Sequence, residues 1–499
     1  MLCKPNTTVH EPFLLLSLLF VLLLSCQPVE QEGTVLPALS VSANSRYLVD
    51  ESGEPFFWLG GTTWGMSEWL TREGVDAYLD HRKVQGFNVV QLCLFWGKRE
   101  DDPVTFTTNP PNAYGFRAFM ETNGKPAPNQ PHVVEGGSPE LPNDYWDHVD
   151  YILQAAEERG IMVAILPVWG RRYVNATHQG FSEEVFSRES MRSYGAFLGK
   201  RFRAYTHIIW VMGGDVKADH GGDFRGYYRA MAEGIVGGVT GETAHWNEAS
   251  PWWDSALMTY HPDGAPMVNS SEWFHQDAWL DFNMIETFTH TDAVYQAVQQ
   301  DYQLSNPVKP TVMGEPGYEG FSTPNGAITG VQMRRQACQS MLGGAAGFTY
   351  GGFRDTLGHG PLFSPFTGWK ELLDMEGAMS MNFIKSFCLD HHWPDWTPVH
   401  DVVSSNLGEG ELQKVAVMAE ANQECIVYFP DTSGALLNLK TRFKASDILT
   451  MQWYNPADGT YTDAAEVPVS KAGLNAKPPV GCSDALLVLK PLLSHYNSL

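Results

Sequence analysis

Two short apolar runs each stop at glycine and a carboxylate. HIIWVMGGD (residues 207–215) ends in Asp215, and KPTVMGEP (residues 309–316) delivers Glu315. An apolar run of this length, bounded by turn residues, reads as a strand buried on both faces. In a parallel barrel, reactive groups project from the carboxyl ends of such strands. Gly213 and Gly214 are expected to let a ligand approach the backbone. Two carboxylates facing each other suit hydrolysis of a glycosidic bond. One carboxyl group protonates the leaving oxygen, while the other supports or attacks the anomeric carbon. Asp215 is assigned as acid/base and Glu315 as nucleophile. A donor at neutral pH needs a raised pKa, which burial near a second carboxylate supplies. A retaining mechanism would set the carboxyl oxygens about 5–5.5 Å apart. The competing structural reading makes Asp215 the cap of the next helix and pairs Glu315 with an arginine.

Other strand ends supply substrate-binding candidates: Thr62, Trp64, Trp96, Trp169, Tyr260, His261, Glu286 and Tyr350. The chain holds 16 tryptophans, enough for stacking platforms as well as core packing. His261 suits a sugar hydroxyl, a role orienting Glu315, or a purely structural bond. Glu286 is the rival acidic candidate. Arg334 and Arg335, at the start of a helix, are positioned to pair with a carboxylate. Asp219, His220 and Asp223 flank two glycines and read as a solvated turn rather than a metal site. With no CxxC or HExxH in the sequence, no metal and no cofactor is implied.

Eight strands must hold these groups, and eight apolar runs are present. They are Pro55–Leu59, Phe87–Trp96, Gly160–Trp169, His207–Asp215, Ala256–Pro262, Asp281–His290, Lys309–Pro316 and Gly344–Gly352. Helical periodicity fills most of the gaps: one helix capped by Thr71, then 147–159, 187–202, 227–235, 292–303 and 331–342. Asp215 and Glu315 are three strand–helix units apart, about 33 residues per unit, close to a barrel repeat. A hairpin over residues 40–61, turning at Asp50–Gly53, leads into the first strand. Residues 98–142 lack periodicity and are rich in Pro, Asn and Gly, which reads as a long loop on the catalytic face. From about Thr397 the helical pattern gives way to short strands separated by DTSG, NPADG and GCSD. The fold class is therefore α/β, a (β/α)8 TIM barrel followed by a small all-β sandwich. The barrel is placed at residues 37–395 and the sandwich at 397–492, joined through residues 390–398.

Net charge is −24, which argues against nucleic acid, whose phosphates need a basic surface. Lys4, an apolar stretch over Phe13–Ser25 and LLSC at residues 23–26 resemble a bacterial lipoprotein signal. That resemblance implies a signal peptide at 1–26, lipidation of Cys26, a tether at 27–36, and an exported, membrane-anchored protein. Cys93 and Cys338 read as buried thiols. Cys425 and Cys482 lie close enough to the C-terminus for a bridge that export would permit. Oligomeric state is left open.

The motifs as a set resemble one family. RYLVDESGEPFFWLG, QGFNVVQ, IIWVMGGD, TYHP, WLDFNMI, GEPGYE, RRQA and GAAGFTYG are similar to those of the apiosidase-like glycoside hydrolases. VYFP and WYNPADGTY resemble the collagen-binding-type domain that commonly follows that barrel. The resemblance implies catalytic roles for the GGD aspartate and the GEP glutamate, which are Asp215 and Glu315. Three departures are visible. GGTTW puts Gly61 where the family usually has aspartate, ETFTH (residues 286–290) stands where QSGH is common, and GFRDTLGHG (residues 352–360) differs as well. All three are expected at the substrate end of the barrel.

The first reading is an exported, exo-acting glycosidase that removes a side chain from a plant or algal polysaccharide. The alternatives are a glycan-binding lipoprotein without catalysis, with Gly61 marking lost function, and an adhesin that binds through its sandwich.

Overall fold

The computed structural model describes residues 36–97, 109–175, 185–264, 267–353, 369–421 and 423–492. The expected signal peptide, Cys26 and nearly all of the tether lie outside them, as do 98–108 of the long loop and 354–360 of the GFRDTLGHG segment. Among the described residues no helix is long and apolar enough to cross a membrane.

Seven of the apolar runs form strands shorter than their apolar boundaries, and the first strand is shifted from Pro55–Leu59 to Trp58–Thr62. The strands are β1 (Trp58–Thr62), β2 (Val89–Cys93), β3 (Met162–Leu166), β4 (Ile208–Gly213), β5 (Met258–His261), β6 (Asn283–Glu286), β7 (Thr311–Glu315) and β8 (Gly347–Tyr350). Every residue in them is buried, as a sheet with both faces covered requires. All pairs are parallel, in the order β5-β4-β3-β2-β1-β8-β7-β6. No regular ladder joins β5 to β6. Local bonds close that seam: Asp281 N–H to Met258 O at 2.9 Å, Met258 N–H to the Asp281 carboxylate at 2.7 Å, and Thr259 Oγ1 to Phe282 O at 2.7 Å.

Helices surround the sheet: α1 (Arg72–Val84), α2 (Tyr145–Glu157), α3 (Arg188–Phe202), α4 (Arg225–Thr240), α5 (Val294–Tyr302) and α6 (Gly330–Leu342). Their starts follow capping chemistry. Thr71 accepts from Gly74 N–H, Asp144 from Trp146 and Asp147, and Ser187 and Thr329 form capping boxes. A further helix, α7 (Glu376–Asp390), was not anticipated. The N-terminal hairpin is instead a three-stranded antiparallel sheet, Ser40–Val41, Leu48–Val49 and Pro55–Phe56. The long loop contains a hairpin, Phe119–Thr122 paired with Lys125–Pro131. Its turn is Asn123-Gly124, both at positive φ, the residues a two-residue hairpin loop demands.

The C-terminal part is the expected antiparallel β domain. Its larger sheet runs Trp396–Val399, Val415–Ala419, Glu424–Phe429, Ala485–Pro491, Ile448–Asn455 and Thr460–Tyr461, and a three-stranded sheet stacks against it. Strand alternation divides its side chains. Val415, Val417, Ile426, Tyr428, Leu486 and Val488 join the barrel's core, whereas Ala416, Met418, Cys425, Val427, Phe429, Leu487 and Leu489 fill the sandwich. The central strands of the larger sheet, Val415–Ala419, Glu424–Phe429 and Ala485–Pro491 as far as Leu489, are thus buried on both faces. Cys425 and Cys482 are both free thiols, so the suggested bridge is not made. Cys93, Cys338 and also Cys388, in α7, are free and buried.

Candidate active site

At the carboxyl end of β4 the backbone takes three successive positive φ values, +91° at Gly213, +111° at Gly214 and +52° at Asp215. A Cβ on Gly213 would lie 2.2 Å from His261 O, and one on Gly214 would lie 3.0 Å from Gly170 N. The glycines therefore make room for neighbouring backbone, not for a ligand as expected from the sequence. The left-handed turn aims Asp215 at the cavity, and Asp215 N lies 3.3 Å from His261 Nδ1.

On β6 and β7 the register shifts after Ile285, pairing Glu286 directly with Glu315. Gly314 permits this, since a Cβ there would lie 2.5 Å from the Met284 side chain. The shift levels the two acidic side chains at one end of the barrel. His261 bridges them, with Nε2 2.7 Å from Glu315 Oε2 and Nδ1 3.4 Å from Glu286 Oε2. Nδ1 also lies 3.2 Å from Pro262 O, so whether it accepts from Asp215 or donates to that carbonyl depends on the tautomer. Tyr318 Oη donates to the other Glu315 oxygen, and Trp64 Nε1 donates to Tyr318 Oη at 3.2 Å.

These groups line a cavity of about 430 Å³, within the range of small-molecule sites. Trp64, Trp96 and Trp169 form one wall, their ring centroids 4.3 to 6.5 Å apart. Arg171, Arg172, Asp215, Asp263, Gly264, Glu286, Phe288, Thr289, His290 and Glu315 complete it. Arg171 and Arg172 lie on a single helical turn, Gly170–Tyr173, just after β3. Arg171 Nη1 sits 2.5 Å from Asp215 Oδ2. Arg172 lies 4.0 Å over the Trp96 ring and donates to Trp96 O at 2.6 Å. From the opposite side, the buried Glu68 carboxylate accepts Trp96 N–H at 2.7 Å and Gly97 N–H at 2.9 Å. The peptide of Trp96 is thus held between an anion and a cation.

Burial dominates the electrostatics. It pushes the Asp215 carboxyl up to about 6, with the charge of Glu315 adding to it and Arg171 opposing. Burial, then the charges of Glu315 and Asp215, raise Glu286 well above the carboxylate range. Burial also lowers Arg172 to about 9.

Of the residues proposed from the sequence, Trp64, Trp96, Trp169, Asp215, Glu286 and Glu315 line the cavity, and His261 lies beneath it between two of them. Three do not reach it. Thr62 is buried on β1. Tyr260 donates to Val216 O at 2.7 Å within a cluster with Tyr228 and Phe274. Tyr350 donates to Glu319 at 2.6 Å. Arg334 and Arg335 do pair with carboxylates, but with Asp484 and Glu411 of the sandwich rather than Glu315. Asp219, His220 and Asp223 form an exposed turn, with Asp223 bonded to Arg225. Gly61 also lies elsewhere than expected. A Cβ there would face Tyr78 Oη at 3.1 Å and Arg82 Nε at 3.6 Å, outside the barrel under α1. The ETFTH segment does line the cavity. Arg171, Arg172, Tyr318 and Glu68 were missed, although the paired arginines directly follow a strand end and Tyr318 is three residues past Glu315.

A parallel barrel with convergent carboxylates and an aromatic wall defines a glycosidase, and comparison with known proteins agrees. Residues 42–395 match the apiosidase-like catalytic domain family, and the chain belongs to it. A crystal structure of a family 5 glycoside hydrolase from Bacteroides vulgatus superposes with a TM-score of 0.73 at 26% identity, covering 92% of this chain and 94% of that one. Another structure, described as a glycoside hydrolase, gives 0.72 at 26% identity over 92% and 98%. A further glycoside hydrolase fold from Bacteroides vulgatus gives 0.55 at 13% identity over 92% and 83%. No curated protein matches the chain.

Proposed function

We propose that the protein is an exported, exo-acting glycosidase that cleaves a side-chain sugar from a plant or algal polysaccharide, using Asp215 and Glu315. Glu315 attacks the anomeric carbon while Asp215 gives its proton to the leaving oxygen. Asp215 then takes a proton from water as that water hydrolyses the glycosyl ester. The observation that carries this reading is the convergence of Asp215 and Glu315, from non-adjacent strands, on one cavity walled by three tryptophans. Asp215 has the donor's properties, with 26% of its side chain accessible and a raised pKa. Glu286, with 2% of its side chain accessible and its pKa raised by burial, is read as a carboxyl group that stays protonated. Tyr318 and His261 hold Glu315 in one orientation, as a nucleophile requires. The size of the cavity favours one or two sugar units, which supports exo action. Export and anchoring through Cys26 rest on the lipoprotein-like N-terminal residues.

Sugar release from a panel of pectic and algal polysaccharides, compared across wild type, Asp215→Asn and Glu315→Gln, tests the assignment. Equal release by all three would end it. Labelling with a radioactive lipid precursor, compared with Cys26→Ser, tests the anchor.

A further inference from the structure

The loop after β6 joins the cavity to the sandwich. It starts at Glu286, lines the cavity with Phe288, Thr289 and His290, and ends at Thr291, which is buried. Thr291 Oγ1 donates to Glu411 Oε1 at 2.8 Å. Glu411 belongs to a 3-10 turn of the C-terminal domain, Gly410–Leu412. The same carboxylate takes Arg335 Nη1 at 3.2 Å and Gln332 Nε2 at 3.2 Å, both from α6. Gln339 of α6 donates to the carbonyls of Gly410 and Gln413 at 3.0 and 3.2 Å. The turn is therefore fixed on a barrel helix and reaches across to the cavity loop.

A second observation marks that loop as constrained. Phe288 has φ +41°, a conformation that a bulky side chain keeps only where its surroundings impose it. Its ring packs on Tyr318 at 5.8 Å and Phe321 at 4.8 Å, and Tyr318 is the residue that donates to Glu315.

We propose that Glu411 is a positioning residue for the sugar cavity, acting through Thr291 to hold the Phe288–His290 segment in its binding conformation. The C-terminal domain is on this account part of the substrate site rather than an appended module. Its effect falls first on substrate binding, because Phe288, Thr289 and His290 line the cavity whereas Glu315 is the last residue of β7 and Asp215 follows β4. The inference rests on the cavity being the substrate site.

Two measurements on the full chain test it. The first, hydrogen exchange without ligand, is independent of any activity. Thr291→Ala and Glu411→Ala should speed exchange across residues 287–293 at least tenfold, while Thr291→Ser stays at the wild-type rate. Arg335→Gln, which breaks the ion pair to Glu411 but leaves Thr291, should not open the segment. The second uses whichever 4-nitrophenyl glycoside of a pyranoside and furanoside panel the wild type hydrolyses best. Thr291→Ala and Glu411→Ala should raise KM fivefold or more with kcat within twofold, and the double variant should be no worse than the worse single one. Unchanged exchange in Thr291→Ala, or equal opening by Arg335→Gln and Glu411→Ala, overturns the proposal. So does a fall in kcat at constant KM. If the wild type hydrolyses nothing in the panel, the glycosidase assignment is what suffers, and the exchange result still decides the role of Glu411.

Discussion

Arg171 Nη1 lies 2.5 Å from Asp215 Oδ2, so the proposed proton donor is paired with a guanidinium. Such a pair ordinarily holds a carboxyl group ionised. Here burial outweighs it, and the charge of Glu315 adds to burial, leaving Asp215 at about 6. Arg171 then acts as a brake that keeps the donor from rising further. A donor must carry its proton, so kcat/KM should fall as pH rises through about 6. Arg171→Met removes the lowering influence and should carry that limb to higher pH. A pH–rate profile of both proteins checks this, and an unmoved limb in the variant would exclude Asp215 as the titrating donor.

Asp215→Asn should cost about 10²–10⁴ in rate on substrates with poor leaving groups and much less on aryl glycosides with activated leaving groups. Added azide should restore turnover by attacking the glycosyl enzyme where water lacks its base. Glu315→Gln should be inactive on both. Glu286→Gln discriminates between the two candidate donors. If Glu286 only stays protonated, the amide imitates it and azide changes nothing. If azide rescues Glu286→Gln and not Asp215→Asn, the roles are exchanged. The released sugar should retain its anomeric configuration, as proton NMR at early times would show.

Gly61 faces Arg82, whose Nε is buried without a partner. Gly61→Asp restores the residue usual in the family and places a carboxylate beside that nitrogen. A charge-assisted bond there is worth about 1.5–3 kcal/mol before desolvation and the 3.1 Å approach to Tyr78 are subtracted. The variant should fold with an unchanged or higher Tm and release the same sugar at the same KM. A changed product profile would put Gly61 back at the substrate. This orientation also removes the argument that Gly61 marks lost catalysis.

The barrel was legible because burial on both faces leaves near-continuous apolar runs, and the runs ending at Asp215 and Glu315 carry their carboxylates with them. What a single run cannot express is a relation between runs. The shift that levels Glu286 with Glu315 depends on Gly314 fitting beside Met284. Gly213 and Gly214 read as ligand access because the close approach comes from elsewhere in the chain, His261 O from β5 and Gly170 N from the helical turn after β3. Tyr260 and Tyr350 sit at strand ends like the tryptophans, yet their hydroxyls turn into bonds with Val216 O and Glu319. The Asn123-Gly124 turn was legible in principle, but the Pro-rich strand after it hid the alternation that marks a hairpin.

Arg334 joins the two domains in the same way that Glu411 does, but from a dry environment. Its Nε lies 3.0 Å from Asp484 Oδ1, with 1% and 0% of the two side chains accessible. Tyr428 Oη donates to the same carboxylate at 3.0 Å. Breaking a buried pair from one side leaves an uncompensated charge and costs about 3–5 kcal/mol. Arg334→Met should therefore unfold at markedly lower denaturant than wild type, and its heat-capacity trace should separate into two transitions as the sandwich loses its hold on α6. Burial raises the Asp484 pKa despite Arg334, and without the arginine it rises further. A carboxyl group raised in the folded state contributes stability present below its unfolded value and lost as pH climbs towards the folded one. The penalty of Arg334→Met should accordingly be smallest near pH 4 and grow towards pH 8. The double variant Arg334→Met with Asp484→Asn should recover most of the loss at pH 8, because no bare charge remains. Equal penalties at both pH values would mean that Arg334 contributes packing alone and that the charge of Asp484 has no part in joining barrel to sandwich.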